Sequence, residues 1–300
     1  TPKRSGDEDG TKAIFDYFGD IVHSYSLADA INDGRLVQYQ YFPSIVQLDE
    51  EEQEHWDEIS IAIGQSVAIH GSWSSAWKND PYLQMKVLRR SAIAKKAAGK
   101  IPKAVEIFSA KVKENQRWLV YCQDTFQIKP LIEQLRDTQK VLSVYEFHGN
   151  MTGDRKATLK KFEEDGGVLV SCGILDEGVN IPDASHALIL ASSQNPREYI
   201  QRRGRVLRRP HDAEASSIAE IYDVLITPRA PTDKNKKLDA SMHPLIGAEL
   251  VRAFDFCENA LNEAALSLEE QLFELRIDLS AFSHYLDGIE DDIEDGLEEE

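Results

Sequence analysis

Apolar positions along this chain switch between short unbroken runs and a spacing of three to four residues. Segments 118–122, 142–147, 168–172, 186–190 and 218–226 are compact apolar runs rich in β-branched and aromatic residues, the pattern of strands buried on both faces. The stretches between them have helical spacing. Leu131, Ile132 and Leu135 share one face of a helix predicted over 128–136. Thr152 is placed to cap a helix whose Ala157, Leu159 and Phe162 turn inward, and Gly166 with Gly167 ends it. Asn195, Pro196 and Glu198 supply the cap, first-turn proline and third-position carboxylate of another helix, which Pro210 stops after Arg209. Strands alternating with helices at this spacing predict an α/β fold with a parallel sheet flanked by helices.

Outside this block, 39–48 reads as one more strand, and 50–100 reads as a helical insert broken at 71–77. Residues 227–237 form a polar connector. Beyond it, Leu250, Phe254, Leu261, Leu268, Leu272, Leu275 and Leu279 recur at helical spacing and predict an antiparallel helical hairpin over 238–286.

Composition narrows the class. Three hundred residues make about two average domains, and 42% hydrophobic content suffices for packed cores. No apolar stretch approaches the ~18 residues that span a bilayer, and TPKRSGDEDG has no apolar signal core. A chain outside the membrane is expected. Cys122, Cys172 and Cys257 are too few and too scattered for a disulfide framework or a metal site, which fits a reducing cytoplasm.

The formal charge of −18 argues against a surface that attracts polyanions everywhere. Its distribution is uneven. Residues 287–300 hold nine acids and no base, a tail that reads as solvated, while 49–58 hold seven acids. Against these stand 86–103, with seven Lys/Arg and no acid, and 197–209, with six Arg and one Glu. Nucleic acid therefore stays open as a partner.

The most informative segment follows Pro196. Gln201, Arg205 and Arg208 stand at i, i+4 and i+7, so a helix aligns an amide and two guanidiniums on one stripe, with Gly204 leaving room for close approach. Arginine grips phosphate oxygens with a planar fork and keeps its charge. An Arg-rich helix that is only solvated or salt-bridged is the plainer reading of that stripe taken alone.

Three motifs in order resemble the second RecA-like domain of superfamily 2 helicases and translocases. YIQRRGRVLR (199–208) resembles the Q-x-x-G-R-x-x-R motif VI; VLVSCGILDEGVNIP (168–182) resembles motif V; and the 118–122 strand, His148-Gly149, Arg155 and Phe162 follow the motif IV region. Segments 18–41 and 89–100 add resemblance to the DEAD/DEAH subgroup that includes type III restriction subunits and DNA translocases. The resemblance covers roughly 1–230 and implies a P-loop NTPase fold without its P-loop. Residues 1–38 would then be a linker from a first RecA-like domain, and 39–230 the second domain carrying the insert.

The resemblance further implies an ATP-dependent enzyme acting on DNA, or RNA, with Mg²⁺-ATP held mainly by the first domain. Arg205 and Arg208 would act as arginine fingers on the γ-phosphate, and Gln201 would order that helix face or the attacking water. Glu177, Gly178, Asn180 and Gly204 would line the nucleotide side. Asn180 stands where the family more often has an Asp that accepts a ribose hydroxyl. Ser171, Gly173, His148 and Gly149 would face the nucleic-acid track.

GDEDGTK (6–12) lacks the adjacent Gly-Lys-Ser/Thr of a phosphate loop. Asp176-Glu177 imitates a Walker B pair but continues as motif V. Thr1-Pro2 resembles the end of an S/T-A-T-P motif, so the chain is expected to be the C-terminal half of a longer enzyme that hydrolyses ATP negligibly by itself. His148 could equally be a structural turn residue, 86–103 a solvated helix face, and Trp73/Trp77 packing rather than base-stacking residues. The hairpin and acidic tail are candidate protein-docking elements. A non-catalytic RecA-like interaction module is the alternative from another class, and an intact Gln201/Gly204/Arg205/Arg208 stripe weighs against it.

Overall fold

A computed structural model describes residues 8–19, 21–23, 25–138, 143–172, 184–191, 218–230, 237–239 and 244–280. Its centre is a six-stranded sheet made of β1 (Gln38–Gln47), β2 (Arg117–Tyr121), β3 (Val144–Phe147), β4 (Gly167–Ser171), β5 (His186–Ile189) and β6 (Ile218–Thr227). The spatial order is β1-β6-β5-β2-β4-β3, and each neighbouring pair is parallel. The strands lie within a residue or two of the apolar runs that predict them.

Alternating side chains build two cores, one on each face of the sheet. On one face Trp118, Val120, Val168, Val170 and Val224 pack on α6 (Lys100–Lys111) and α7 (Thr125–Thr138). On the other, Tyr41, Leu119, Leu169 and Leu225 meet Phe162 of α8 (Arg155–Asp165) and the helices α9 (Pro244–Glu258) and α10 (Ala264–Glu274). Two short helices, α1 (Glu8–Phe18) and α2 (Leu27–Asn32), precede β1. Ser26 and Asp29 close a capping box at the start of α2.

Thr152 does not cap α8. Asp154 does, its carboxylate accepting the Lys156 N–H at 2.8 Å. Gly153 explains the shift, because its φ of +122° is outside the helical region and forbids an earlier start. Gly71, at φ +78°, ends α3 (Glu50–His70) where the sequence predicts a break. The break is short: Ser72 immediately caps α4 (Trp73–Asn79), and α5 (Leu83–Lys96) returns along α3. Asp80 staples this insert by accepting from Ser66 at 2.6 Å, Tyr82 N–H at 2.8 Å and Lys86 at 3.1 Å. Those bonds hold its carboxyl down to about 2.

The C-terminal helices are built into the main core. Arg252 of α9 meets Asp223, and Tyr39 donates to the Phe256 carbonyl, so α9 runs against the direction of β6 and β1. Helix α10 runs with β1: Leu261 N–H reaches Tyr39 O at 2.9 Å, and ten residues later Gln271 reaches Pro43 O at 3.0 Å. The pair is antiparallel, as predicted. Strands β7 (Leu238–Asp239) and β8 (Ile277–Asp278) tie the connector to the end of this unit.

Candidate functional site

Phe147 of β3, Ser171 of β4, Tyr121 of β2, Ile189 of β5 and Asp223 of β6 lie in one register row across the sheet. Four of these residues end their strands, so the segments after β3, β4, β2 and β5 all leave from one edge. In open parallel sheets the carboxyl edge is where ligands bind. The motif V-like segment includes Ser171 and runs on after β4, and β5, which precedes the motif VI-like segment in sequence, lies on the other side of β2 from β4. Gly173, Glu177, Gly178, Asn180, Gln201, Gly204, Arg205 and Arg208 themselves lie outside the described residues.

The remaining three candidates are placed. Ser171 is fully buried, and its hydroxyl donates to Val120 O at 3.1 Å within the sheet. The side chain is directed inward, and its carbonyl accepts Cys122 N–H at 2.8 Å. His148 is buried in the turn after β3. Its Nδ1 accepts the Asn150 N–H at 3.2 Å, which leaves Nε2–H to donate to Glu146 at 2.7 Å. Both ring nitrogens are thereby engaged within the chain. Gly149 is exposed in the same turn. Because Phe147 pairs with Ser171, this turn and the start of the motif V-like segment emerge side by side.

The next connection along the edge follows β2. Asp124 accepts the Gln127 N–H at 3.1 Å at the start of α7 and forms an ion pair with Lys96 at the end of the insert. Gln127 also donates to Lys95 O at 3.0 Å. The helical insert is thus fastened to the edge that carries the candidate motifs.

A buried charge group at this edge was not predicted from the sequence. Lys100, at the start of α6, is 2% exposed, and its ammonium donates to Leu190 O at 2.7 Å, where the chain leaves β5. Nearby, Arg252 donates through Nε and Nη2 to Asp223 at 3.1 and 3.2 Å, and through Nη1 and Nη2 to Glu249 at 3.3 and 3.1 Å. Tyr41 donates to Asp223 at 3.1 Å, and Ile226 N–H donates to Glu249 at 3.2 Å. Burial opposes every charge in this group. For Arg252 the two carboxylates outweigh burial and hold the guanidinium well above its ordinary value, while Arg252 and Lys100 outweigh it for Glu249 and hold that carboxyl low. For Lys100 burial prevails, and its ammonium is held below the usual lysine range. A signal was present in the sequence: Asp223 interrupts the apolar run IYDVLI, and a lone carboxylate there requires a buried partner.

Among the described residues no group of three or more His, Cys, Asp or Glu is placed to hold a metal ion. No described helix is long and apolar enough to cross a membrane.

Residues 99–210 match the family described as the helicase conserved C-terminal domain. Over those residues the chain is similar to the C-terminal domain of helicases. The matched stretch takes in α6, β2 to β5 and the residues that follow β4 and β5 in sequence. The chain is 38% identical over 63 residues to the DNA 3'-5' translocase XPB2 of Sulfurisphaera tokodaii, covering 21% of this chain and 14% of that protein. It is 25% identical over 130 residues to a protein of Methanocaldococcus jannaschii provisionally named an ATP-dependent RNA helicase, covering 41% of this chain and 16% of that one. The matches thus span well under a fifth of the length of these two relatives. The SWI2/SNF2 ATPase C-terminal domain of Sulfolobus solfataricus is 13% identical with a TM-score of 0.45, covering 81% of this chain and 100% of that domain.

Proposed function

We propose that this chain is the C-terminal part of an ATP-dependent nucleic-acid helicase or translocase, with DNA as its polymer and RNA the alternative. One observation carries the reading. Q-x-x-G-R-x-x-R follows β5 and E-G-V-x-I-P follows β4, within a matched helicase domain, and both strands end in the same register row.

In this reading Arg205 and Arg208 reach the γ-phosphate of an ATP held with its Mg²⁺ by a preceding RecA-like domain. Charge spreads over the phosphoryl oxygens in the transition state, and a guanidinium fixed beside them stabilises that state more than the ground state. Gln201 orders the same face or the attacking water, and Gly204 leaves space for the approach. Glu177, Gly178 and Asn180 line the nucleotide side from the β4 segment. His148, Gly149 and Gly173 lie toward the polymer. Ser171 contributes by fixing where that segment leaves the sheet, since its hydroxyl is directed to Val120 O. Closure on ATP and reopening after hydrolysis move one domain against the other along the strand.

The reading predicts that the 300-residue chain alone turns over ATP negligibly, with or without nucleic acid, because no phosphate loop is present in it. A phosphate-release assay on the purified chain checks this, and robust nucleic-acid-stimulated turnover overturns it.

A further inference from the structure

Of the chain's three cysteines, Cys122 and Cys172 are fifty residues apart in sequence, yet the sheet sets them side by side. Tyr121 of β2 pairs with Ser171 of β4. The next ladder bond, Cys122 N–H to Ser171 O at 2.8 Å, carries the register one step past both strand ends. In a parallel ladder an N–H reaches the carbonyl of the residue before its partner, so this bond places Cys122 opposite Cys172. Opposed residues direct their side chains to the same face of a sheet. Both cysteines accordingly belong to the core built by Trp118, Val120, Val168 and Val170. The third, Cys257 of α9, packs against the core on the other face.

Neighbouring strands lie about 4.7–4.9 Å apart, inside the range of about 4.4–6.8 Å between the Cα atoms of bridged cysteines. All three thiols are free in this structure. Cys122 is 3% exposed and Cys172 is half-buried, so a reagent from solvent meets Cys172 first. Burial pushes both thiols up, and Asp124 and Glu146 add to that effect at Cys172. Little thiolate is present at neutral pH, which makes exchange slow there.

We propose that Cys122 and Cys172 form a reversible disulfide at the carboxyl edge of the sheet when a low-molecular-weight disulfide such as oxidised glutathione is in excess. The Cys172 thiolate attacks one sulfur of that oxidant and expels a glutathione thiolate, which takes up the proton Cys172 released. Cys122 then loses its proton and attacks Cys172 Sγ, expelling the second glutathione thiolate, which is protonated in turn. Two protein thiols are oxidised to one bridge, and one glutathione disulfide is reduced to two thiols. The bridge ties the exit of β2, beside the Lys96–Asp124 ion pair, to the exit of β4. It rests on the register of these two strands and does not depend on the helicase reading.

Thiol mapping of the 300-residue chain tests it. The folded chain is held with oxidised glutathione at mildly alkaline pH, where more thiolate is present, then alkylated with N-ethylmaleimide and digested. Alkylated cysteines are expected to fall from three to one, Cys257, with the Cys122 and Cys172 peptides joined in a single chain. Excess dithiothreitol is expected to return all three. Cys257→Ser is expected to leave the bridge intact. Cys122→Ala keeps a small apolar side chain in the core and is expected to halt at a mixed disulfide of Cys172 with glutathione. Three alkylated cysteines after the oxidant overturn the proposal. So does a wild-type chain that stops at the Cys172 mixed disulfide, a bridge that includes Cys257, or a bridge found only between two chains on a non-reducing gel.

Discussion

At the residue scale, the fold is defined by charges that have been buried in balanced pairs. Arg252 stands between two carboxylates, Asp223 on the sheet and Glu249 one helical turn earlier on α9. Breaking a buried pair strands its partner in low dielectric, which typically costs 3–5 kcal/mol. Asp223→Asn is therefore expected to lower unfolding stability in urea by roughly 3 kcal/mol. Glu249→Gln should destabilise similarly at neutral pH, with a defined pH dependence. The folded-state pKa of Glu249 lies below its ordinary value. Its ionic contribution is thus fully present above that ordinary value and is lost as pH falls through the folded one. The gap between wild type and Glu249→Gln should narrow as pH falls through the carboxylate range, and a constant gap in urea melts from pH 7 to pH 3 would contradict the assignment. Sequence showed Asp223 as an anomaly in an apolar strand but could not name its partners, since Arg252 lies 29 residues away on another element.

At the element scale, β1 illustrates how an edge strand is protected. Pro43 sits in mid-strand, where it removes a backbone donor, and is tolerated because the neighbouring odd-numbered groups face away from β6. Asn262 and Gln271 of the C-terminal unit satisfy Tyr41, Pro43 and Ile45 on that side, which covers this edge against pairing with another chain. Gln271→Ala exposes a carbonyl and an N–H there. It is expected to cost about 1–3 kcal/mol and to raise self-association measured by light scattering. The strands were legible because a short run that is apolar at nearly every position suits a strand buried on both faces and little else. The start of α8 was misread because Thr152 and Asp154 both cap well, and only the positive φ of Gly153 decides between them. That α9 and α10 belong to the core was hidden as well: helical spacing reveals an apolar face but not what that face meets.

At the scale of the whole molecule, one sheet edge gathers the segments after β3, β4 and β5, the end of the insert and the Lys100 contact to Leu190. Lys100→Met removes the charge from that carbonyl contact while keeping the stem's packing. In the proposed reading the variant folds but slows ATP turnover when a phosphate-loop domain is supplied, with Lys100→Arg restoring part of it. Equal rates in wild type and Lys100→Met would limit that contact to stability. Three ordered motifs in the sequence point to the helicase C-terminal domain that residues 99–210 match. What a motif's side chains contact is not fixed by its spacing, as the inward hydroxyl of Ser171 and the doubly bonded His148 show. The most direct test of the central claim joins this chain to its natural upstream segment and measures nucleic-acid-stimulated ATP turnover with Arg205→Ala and Arg208→Ala. The arginine-finger reading predicts a fall in kcat of about 10³-fold with polymer binding retained, and unchanged turnover in both variants would contradict it.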